Sequence, residues 1–458
     1  MSLLIRAGAV VPATGGVVLE RGGVVVSRGR ILDVLDARAA AQPFDGRIVE
    51  EPDGVVMPGL VNIHTHGVSP SPLFPSGSPA LSEERWRANL DRHLETGTTT
   101  VLSTCGLGTM EDIAEADRRH PVHVRAATAH TPSALAAARA ADGAGLSERH
   151  ALMTVERMLE SGAVAIGELG GGQTLGGGGQ DLVFLPAAIL ARTGRTISQA
   201  QARSLKESVL GRFMNERSYR PEALRAAAES SGLADVATEE LRELILKTVM
   251  PSVGHARHGI REGIELARML GVPALVHSAS ASAELIRDLI AERGRPTTII
   301  AGHVNHTSHS ADEAVELAIA GMEAGWYAEA SVFDLLEGRE TVQTRDHWDA
   351  LLSRPGLVDA LATDYGHDGR HDPLIAAVQD VIDAGHRSLA EAVEMVTSVP
   401  ASLIPGLAEG GAMLRAGAPA DIVIARRGDL RDVRRVFVGG EEVVVDGRRA
   451  TEVRACEG

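Results

Sequence analysis

The stretch Met57-Pro-Gly-Leu-Val-Asn-Ile-His-Thr-His-Gly67 decides how the chain is read. A Pro-Gly turn leads into a short apolar run, and the run ends on His64 and His66. Side chains two residues apart on a strand point the same way. If this is the first strand of a parallel barrel, both imidazoles face the C-terminal mouth, where barrel enzymes place their catalytic groups. Imidazole nitrogens gathered there can hold a transition metal. An isolated His-x-His pair often arises by chance, so the turn and the buried strand in front of it carry the argument.

Downstream, strand-like and helix-like runs alternate. After Leu60–His64 come Thr98–Ser103, Val122–Thr128, Val164–Glu168, Ala274–His277, Thr297–His303, Trp326–Ser331 and Ala360–Asp364. Helical patterns separate most of them, among them Ser82–Glu95, Ile260–Leu270, Ser282–Arg293 and Ser388–Thr397. This rhythm predicts an α/β fold, a (β/α)8 TIM barrel over residues 58–403. A doubly wound open sheet is the alternative, but no dinucleotide-type glycine fingerprint follows an early strand. Residues 1–57 and 404–458 are rich in short β-branched runs, with a Gly439-Gly440 hairpin signal near the end. Neither end can cover a sheet alone, so the two are expected to pair into one small β-sandwich domain. Residues 172–250 break the rhythm with a run of four glycines, 176–179, and then a long polar helical stretch. That is too long for a βα connection, so a helical insertion should rise over the mouth as a lid or an oligomer contact. No Gly-Lys-Ser/Thr follows the glycines, so a hinge is expected there and not a phosphate cradle.

Composition narrows the function classes. The chain has 458 residues, 44% of them apolar, enough for a large core and too many for a disordered chain. A net charge of −16 argues against a general nucleic-acid or anionic-membrane binder, and 3% aromatic content argues against base stacking. Two cysteines, Cys105 and Cys456, cannot build a disulfide framework. The N-terminal residues show no basic segment before a long apolar run, and no run of about 18 uncharged apolar residues occurs anywhere. A cytoplasmic protein acting on a small-molecule substrate is expected.

Further candidate ligands close the other strands. Glu168, His277, His303 and Asp364 each follow a run that should be buried, where an unpaired charge is costly. Any one of them could be a helix cap or a satisfied loop residue; metal-ligand types at five strand ends make coincidence a poor explanation. His306 and His309 follow so closely that either could replace His303 as the ligand. Cys105 reads as a small core residue.

These residues resemble the amidohydrolase superfamily, over nearly the whole chain. The marks are Pro58-Gly59 leading into His64-x-His66, the histidines of strands 5 and 6, the aspartate of strand 8, and the return segment Leu414-Arg-Ala-Gly-Ala-Pro-Ala-Asp421-Ile-Val-Ile. Within that superfamily the chain is most similar to the cyclic-amide hydrolases near enamidase and dihydroorotase; Gly167-Glu168-Leu-Gly resembles the enamidase strand 4. The resemblance implies a binuclear metal centre, two divalent ions per chain, with zinc expected first and Fe, Mn or Ni possible ligand matches. His64, His66 and Asp364 would bind one ion, His277 and His303 the other, and Glu168 would bridge them. Many relatives bridge with a carboxylated lysine, but Lys206 and Lys247 are the only lysines and both lie in the insertion; Lys247 is the residual alternative to Glu168. The implied reaction is hydrolysis of a C–N amide bond other than a peptide bond, in a small and cyclic substrate. A metal-bridging hydroxide would attack the carbonyl, and Asp364 would carry its proton to the leaving nitrogen. Substrate contacts are expected from His130, His306, His367 and Arg370, with His255 and His258 near the mouth. The alternatives are a deaminase of the same fold that uses one ion and releases ammonia, a hydrolase like those of phosphonate pathways (suggested by Thr363-Asp-Tyr365), and a non-catalytic scaffold. The family also implies a homo-oligomer.

Overall fold

The protein is described by a computed structural model covering residues 2–292, 294–333, 335–336, 343–364 and 372–450. Eight parallel strands follow one another in chain order: β1 (Leu60–Thr65), β2 (Thr98–Ser103), β3 (His123–Thr128), β4 (Ala165–Leu169), β5 (Ala274–His277), β6 (Ile299–Gly302), β7 (Tyr327–Ser331) and β8 (Ala360–Ala362). They form the expected barrel. One apolar cluster draws Ile63, Leu102, Ala127, Leu275, Ile300 and Ala362 from different strands and adds Leu403 and Ile404 from the segment after the last barrel helix. Each fully buried Leu or Ile of this kind contributes roughly 1.5–3 kcal/mol.

The seam between β8 and β1 lies outside the regular ladder among the described residues. Asn62 bridges it: its Oδ1 accepts from the Thr363 and His64 N–H groups, at 3.3 Å each, and its Nδ2 donates to Thr363 Oγ1 at 2.7 Å. The Asp364 N–H donates to the His64 carbonyl at 3.0 Å. At the other end Val61 and Leu361 donate to the carbonyls of Val396 and Met395, at 2.7 and 3.2 Å. The closure that completes the barrel therefore also fixes the backbone of two candidate ligands.

The chain ends combine as expected. Strand Ile422–Arg426 pairs antiparallel with Arg47–Pro58, which pairs parallel with Ser2–Val10. The result is one mixed sheet of nine strands. It curls over itself: the Ile31 N–H donates to the Ala418 carbonyl at 2.9 Å, and Ile31, Val24 and Phe437 share one core. The twelve residues of Arg47–Pro58 are a strand that sequence pattern alone did not single out. Pro52-Asp-Gly54 looks like a turn; in the sheet it is a bulge, where the register shifts between Ala7 and Ala9. From there the strand runs directly into β1 through Gly59. A Cβ on Gly59 would sit 2.0 Å from Thr99 Oγ1, so only glycine lets the two domains join at this point.

The insertion between β4 and β5 contains helices Leu185–Thr193, Gln199–Leu210 and Pro221–Ser230, and ends in a 33-residue helix, Thr238–Leu270. The expected boundary near residue 250 is not a break: the insertion's last helix and the barrel helix are one. Leu241, Ile245, Val249, Val253, Ile260 and Ile264 keep one buried stripe in register through Pro251, and this packing outweighs the proline. No helix among the described residues is long and apolar enough to cross a membrane.

Replacing Asn62 by Ala leaves the buried Thr363 and His64 groups without their partner. Urea denaturation should show a loss of about 1–3 kcal/mol. Unchanged stability would mean that the seam does not depend on this side chain.

Candidate metal centre

Six side chains from five barrel strands meet at the C-terminal mouth. The end of β1 supplies His64 and, one residue beyond it, His66; β4 supplies Glu168 and β5 His277; His303 and Asp364 stand just past β6 and β8. Their donor atoms fall into three overlapping groups, each within 4.8 Å: His64 with His303 and Asp364, His64 with His66 and Glu168, and Glu168 with His277 and His303. Glu168 belongs to two of these. All six are buried except Asp364, which is partly exposed.

The local backbone is shaped for this convergence. His303 and Asp364 adopt left-handed φ angles of 33° and 48°, which non-glycine residues adopt only at some cost. Gly167, with φ 148°, precedes Glu168; a Cβ there would lie 2.7 Å from the Leu275 carbonyl oxygen of β5. Gly302 leaves room for the His64 ring, which a Cβ would approach to 3.2 Å.

The donor spacing around His64, His66 and Asp364 fits a small cation. Ligands about 2.1 Å from a tetrahedral ion lie about 3.4 Å apart. His64 Nε2 and His66 Nε2 are each 3.5 Å from Asp364 Oδ1; they are 3.7 and 3.6 Å from Glu168 Oε1 and Oε2, respectively. On the other side Glu168 Oε1 is 2.6 Å from His277 Nδ1 and 3.2 Å from His303 Nε2, and those two nitrogens are 3.0 Å apart. His64 Nε2 is buried and has no hydrogen-bond partner among the described residues, and it faces the centre.

Electrostatics favour positive charge here. Burial alone would push the His64 imidazole down, but Asp364, Glu168 and Glu329 outweigh it and hold it well above its ordinary value. His66 is raised to about 9, burial being outweighed by Asp364, Cys105 and Glu168. Burial pushes Glu168 up, yet His277, His303 and His64 keep it well below the usual carboxylate range. Asp364 is brought to about 2 in the same way, mainly by His64, His66 and His303. Burial lowers His277.

Glu329, on β7, joins the two halves. Its Oε2 accepts from His64 Nδ1 and from the His303 N–H, both at 2.9 Å. It fixes the tautomer that turns the His64 Nε2 lone pair inward, as outer carboxylates do for metal-ligating imidazoles. Sequence reading missed it. The available signal was a lone carboxylate in the buried strand Ala328-Glu-Ala330. Cys105 is buried, as expected, but its sulfur lies beside the His66 imidazole as well as in the core.

The other expectations fare unevenly. His303, and neither His306 nor His309, belongs to the donor groups; His306 and His309 line the adjoining cavity. His130 does not line it: its Nδ1 bonds Thr128 Oγ1 at 2.9 Å, and burial drives it to about 4. The β3 end turns its ring toward Leu107 and His150 instead. His255 and His258 are exposed on the long helix, away from the cavity. Lys247 is also exposed, 3.5 Å from Glu243, which removes it as a bridging group. Lys206 is buried at the cavity wall, its Nζ 2.6 Å from Asp181 and bonded to the Gly176 carbonyl. It thus pins the glycine run that had read as a hinge. His367 and Arg370 lie outside the described residues.

The cavity measures about 580 Å3 and reaches from the donor groups to the insertion. A family model described as the amidohydrolase family matches residues 55–443. That is well over half of the chain, which belongs to the amidohydrolase family. No curated protein sequence matches the chain. Among solved structures, it is similar to a β-aspartyl dipeptidase of Fervidobacterium islandicum AW-1 (14% identity, TM-score 0.57, covering 98% of each chain). It is also similar to the dihydropyrimidinase of Brevibacillus agri NCHU1002 (14% identity, TM-score 0.54, 98% of this chain and 96% of that one) and to A. niger ochratoxinase (17% identity, TM-score 0.55, 96% and 95%). At these identities the likeness is one of fold.

Two outcomes follow for chelator-treated protein. The His66 pKa is raised from 6.5 to about 9, so its contribution to stability is full below pH 6.5 and is lost as pH rises toward 9. The Asp364 pKa is lowered from 3.8 to about 2, so its contribution is present above pH 3.8 and is lost as pH falls toward 2. Melting temperature against pH should therefore decline through both windows, and a flat profile from 6.5 to 9 would contradict the His66 assignment. Glu329→Ala should reduce metal affinity about 10- to 100-fold, measured by chelator competition.

Proposed function

We propose that the protein is a metal-dependent hydrolase that cleaves a C–N amide bond in a small, cyclic substrate, through a centre held by His64, His66, Glu168, His277, His303 and Asp364. The observation that carries this reading is the convergence of two donor groups on Glu168, the one with His64 and His66 at separations suited to a divalent ion. Membership of the amidohydrolase family, whose members are metal-dependent, supports it. A divalent ion held there polarises a carbonyl and makes water a stronger nucleophile near neutral pH.

The chain's own groups supply the rest. Glu168 stays ionised between the two groups and balances their charge. Asp364 also stays ionised, so its carboxylate can accept a proton from the attacking water and pass it to the leaving nitrogen. A cavity of about 580 Å3 suits a small molecule. The Gly171–Gly179 loop and the helix Gln199–Leu210 form part of its wall.

Elemental analysis of protein purified without chelator should find close to two divalent ions per chain. Assays on hydantoins, dihydropyrimidines and cyclic imides should then show ring opening. One ion per chain with ammonia release from aminopurines would replace this reading with deamination. His64→Ala should abolish turnover while circular dichroism stays native. Glu168→Ala should strip metal and Lys247→Ala should not; the reverse result would overturn the bridge assignment.

A further inference from the structure

His306 lies beside the donor groups without belonging to them. Its ring centroid is 5.5 Å from that of His303 and 6.0 Å from that of His277, and it lines the cavity. Its Nδ1 accepts the Ser308 N–H at 3.0 Å. An imidazole that accepts at Nδ1 is neutral and carries its hydrogen on Nε2. That Nε2–H has no hydrogen-bond partner among the described residues, so the cavity is where its donor is offered.

The segment that bears it is held on several sides. The Asn305 amide clamps the Ser331 backbone, donating to its carbonyl at 2.8 Å and accepting its N–H at 3.0 Å. The Val304 N–H donates to the Glu329 carbonyl, and the His306 N–H to the His303 carbonyl, both at 2.9 Å. His306 also bridges to Gln343 through the backbone. A donor fixed in this way needs no reorganisation when charge develops in front of it, which is the condition for strong electrostatic stabilisation.

We propose that His306 is a catalytic residue whose Nε2–H donates a hydrogen bond to the carbonyl oxygen of the scissile amide. The role rests on reading the cavity as a hydrolytic site. As water oxygen bonds to the carbonyl carbon, the C=O π pair moves onto that oxygen and the Nε2–H stabilises the charge. When the pair returns, the C–N bond breaks and the proton from water goes to the leaving nitrogen.

Methylphosphonate, a tetrahedral oxyanion, tests the role in metal-loaded protein by titration calorimetry, alongside metal content. His306→Phe removes the donor and should weaken methylphosphonate about 10- to 100-fold, the worth of a hydrogen bond to a charged acceptor. His306→Gln restores an N–H donor and should recover most of that affinity. Both variants should keep the metal content of the unaltered protein. Loss of metal in His306→Phe would make His306 a ligand and overturn the proposal. So would methylphosphonate affinity equal to that of the unaltered protein, with metal retained. Unaltered protein that holds no metal, or that holds metal and ignores methylphosphonate, would instead overturn the hydrolytic reading itself. With an amide substrate in hand, His306→Phe should lower kcat about 10²- to 10³-fold and His306→Gln much less.

Discussion

The rest of the site depends on Glu168. A carboxylate buried at the mouth of a barrel would be costly if left alone, because the interior cannot solvate it. Here it faces His64, His66, His277 and His303 within 3.7 Å, and the pull of His277, His303 and His64 keeps it ionised against burial. The imidazoles are held in turn by carboxylates, with Asp364 on the cavity side and Glu329 beneath. The cluster therefore holds together as a set. Removing one member leaves its opposite charge buried without compensation.

The barrel provides the rigidity that this arrangement requires. Asn62 ties β1 to the segment after β8, and the same contacts fix the backbone at His64 and Asp364. Glu329 ties the His64 ring to the backbone of His303. The left-handed conformations of His303 and Asp364 persist because these bonds over-determine them. The insertion adds the wall of the cavity. Lys206, buried and paired with the buried Asp181, donates to the Gly176 carbonyl and keeps the glycine loop against its helix.

Much of this was legible in the sequence, for a physical reason. Strand ends in a barrel are periodic events, so a ligand-type residue closing an apolar run marks its own position. His64, His66, Glu168, His277 and Asp364 were readable in that way, and His303 was readable to within a few residues. Glu329 was not, because it sits inside its strand and works through other side chains. His130 misled because a histidine past a strand end satisfies the pattern wherever the loop then turns. Pro52-Asp-Gly54 and Pro251 carried ordinary break signals that packing overrode.

The sequence by itself determined the class of fold, the pairing of the chain ends and the residue types gathered at the mouth. Those follow from periodicity and inventory; that a glutamate stands between the donor groups was what the family resemblance implied, with only two lysines in the chain to compete for the place. Only the tertiary structure decided which histidine past β6 joins the centre, which carboxylate orients His64, and where His306 presents its hydrogen. Those depend on distances between strands far apart in the chain, and a loop's path is set by what it packs against, not by its own pattern.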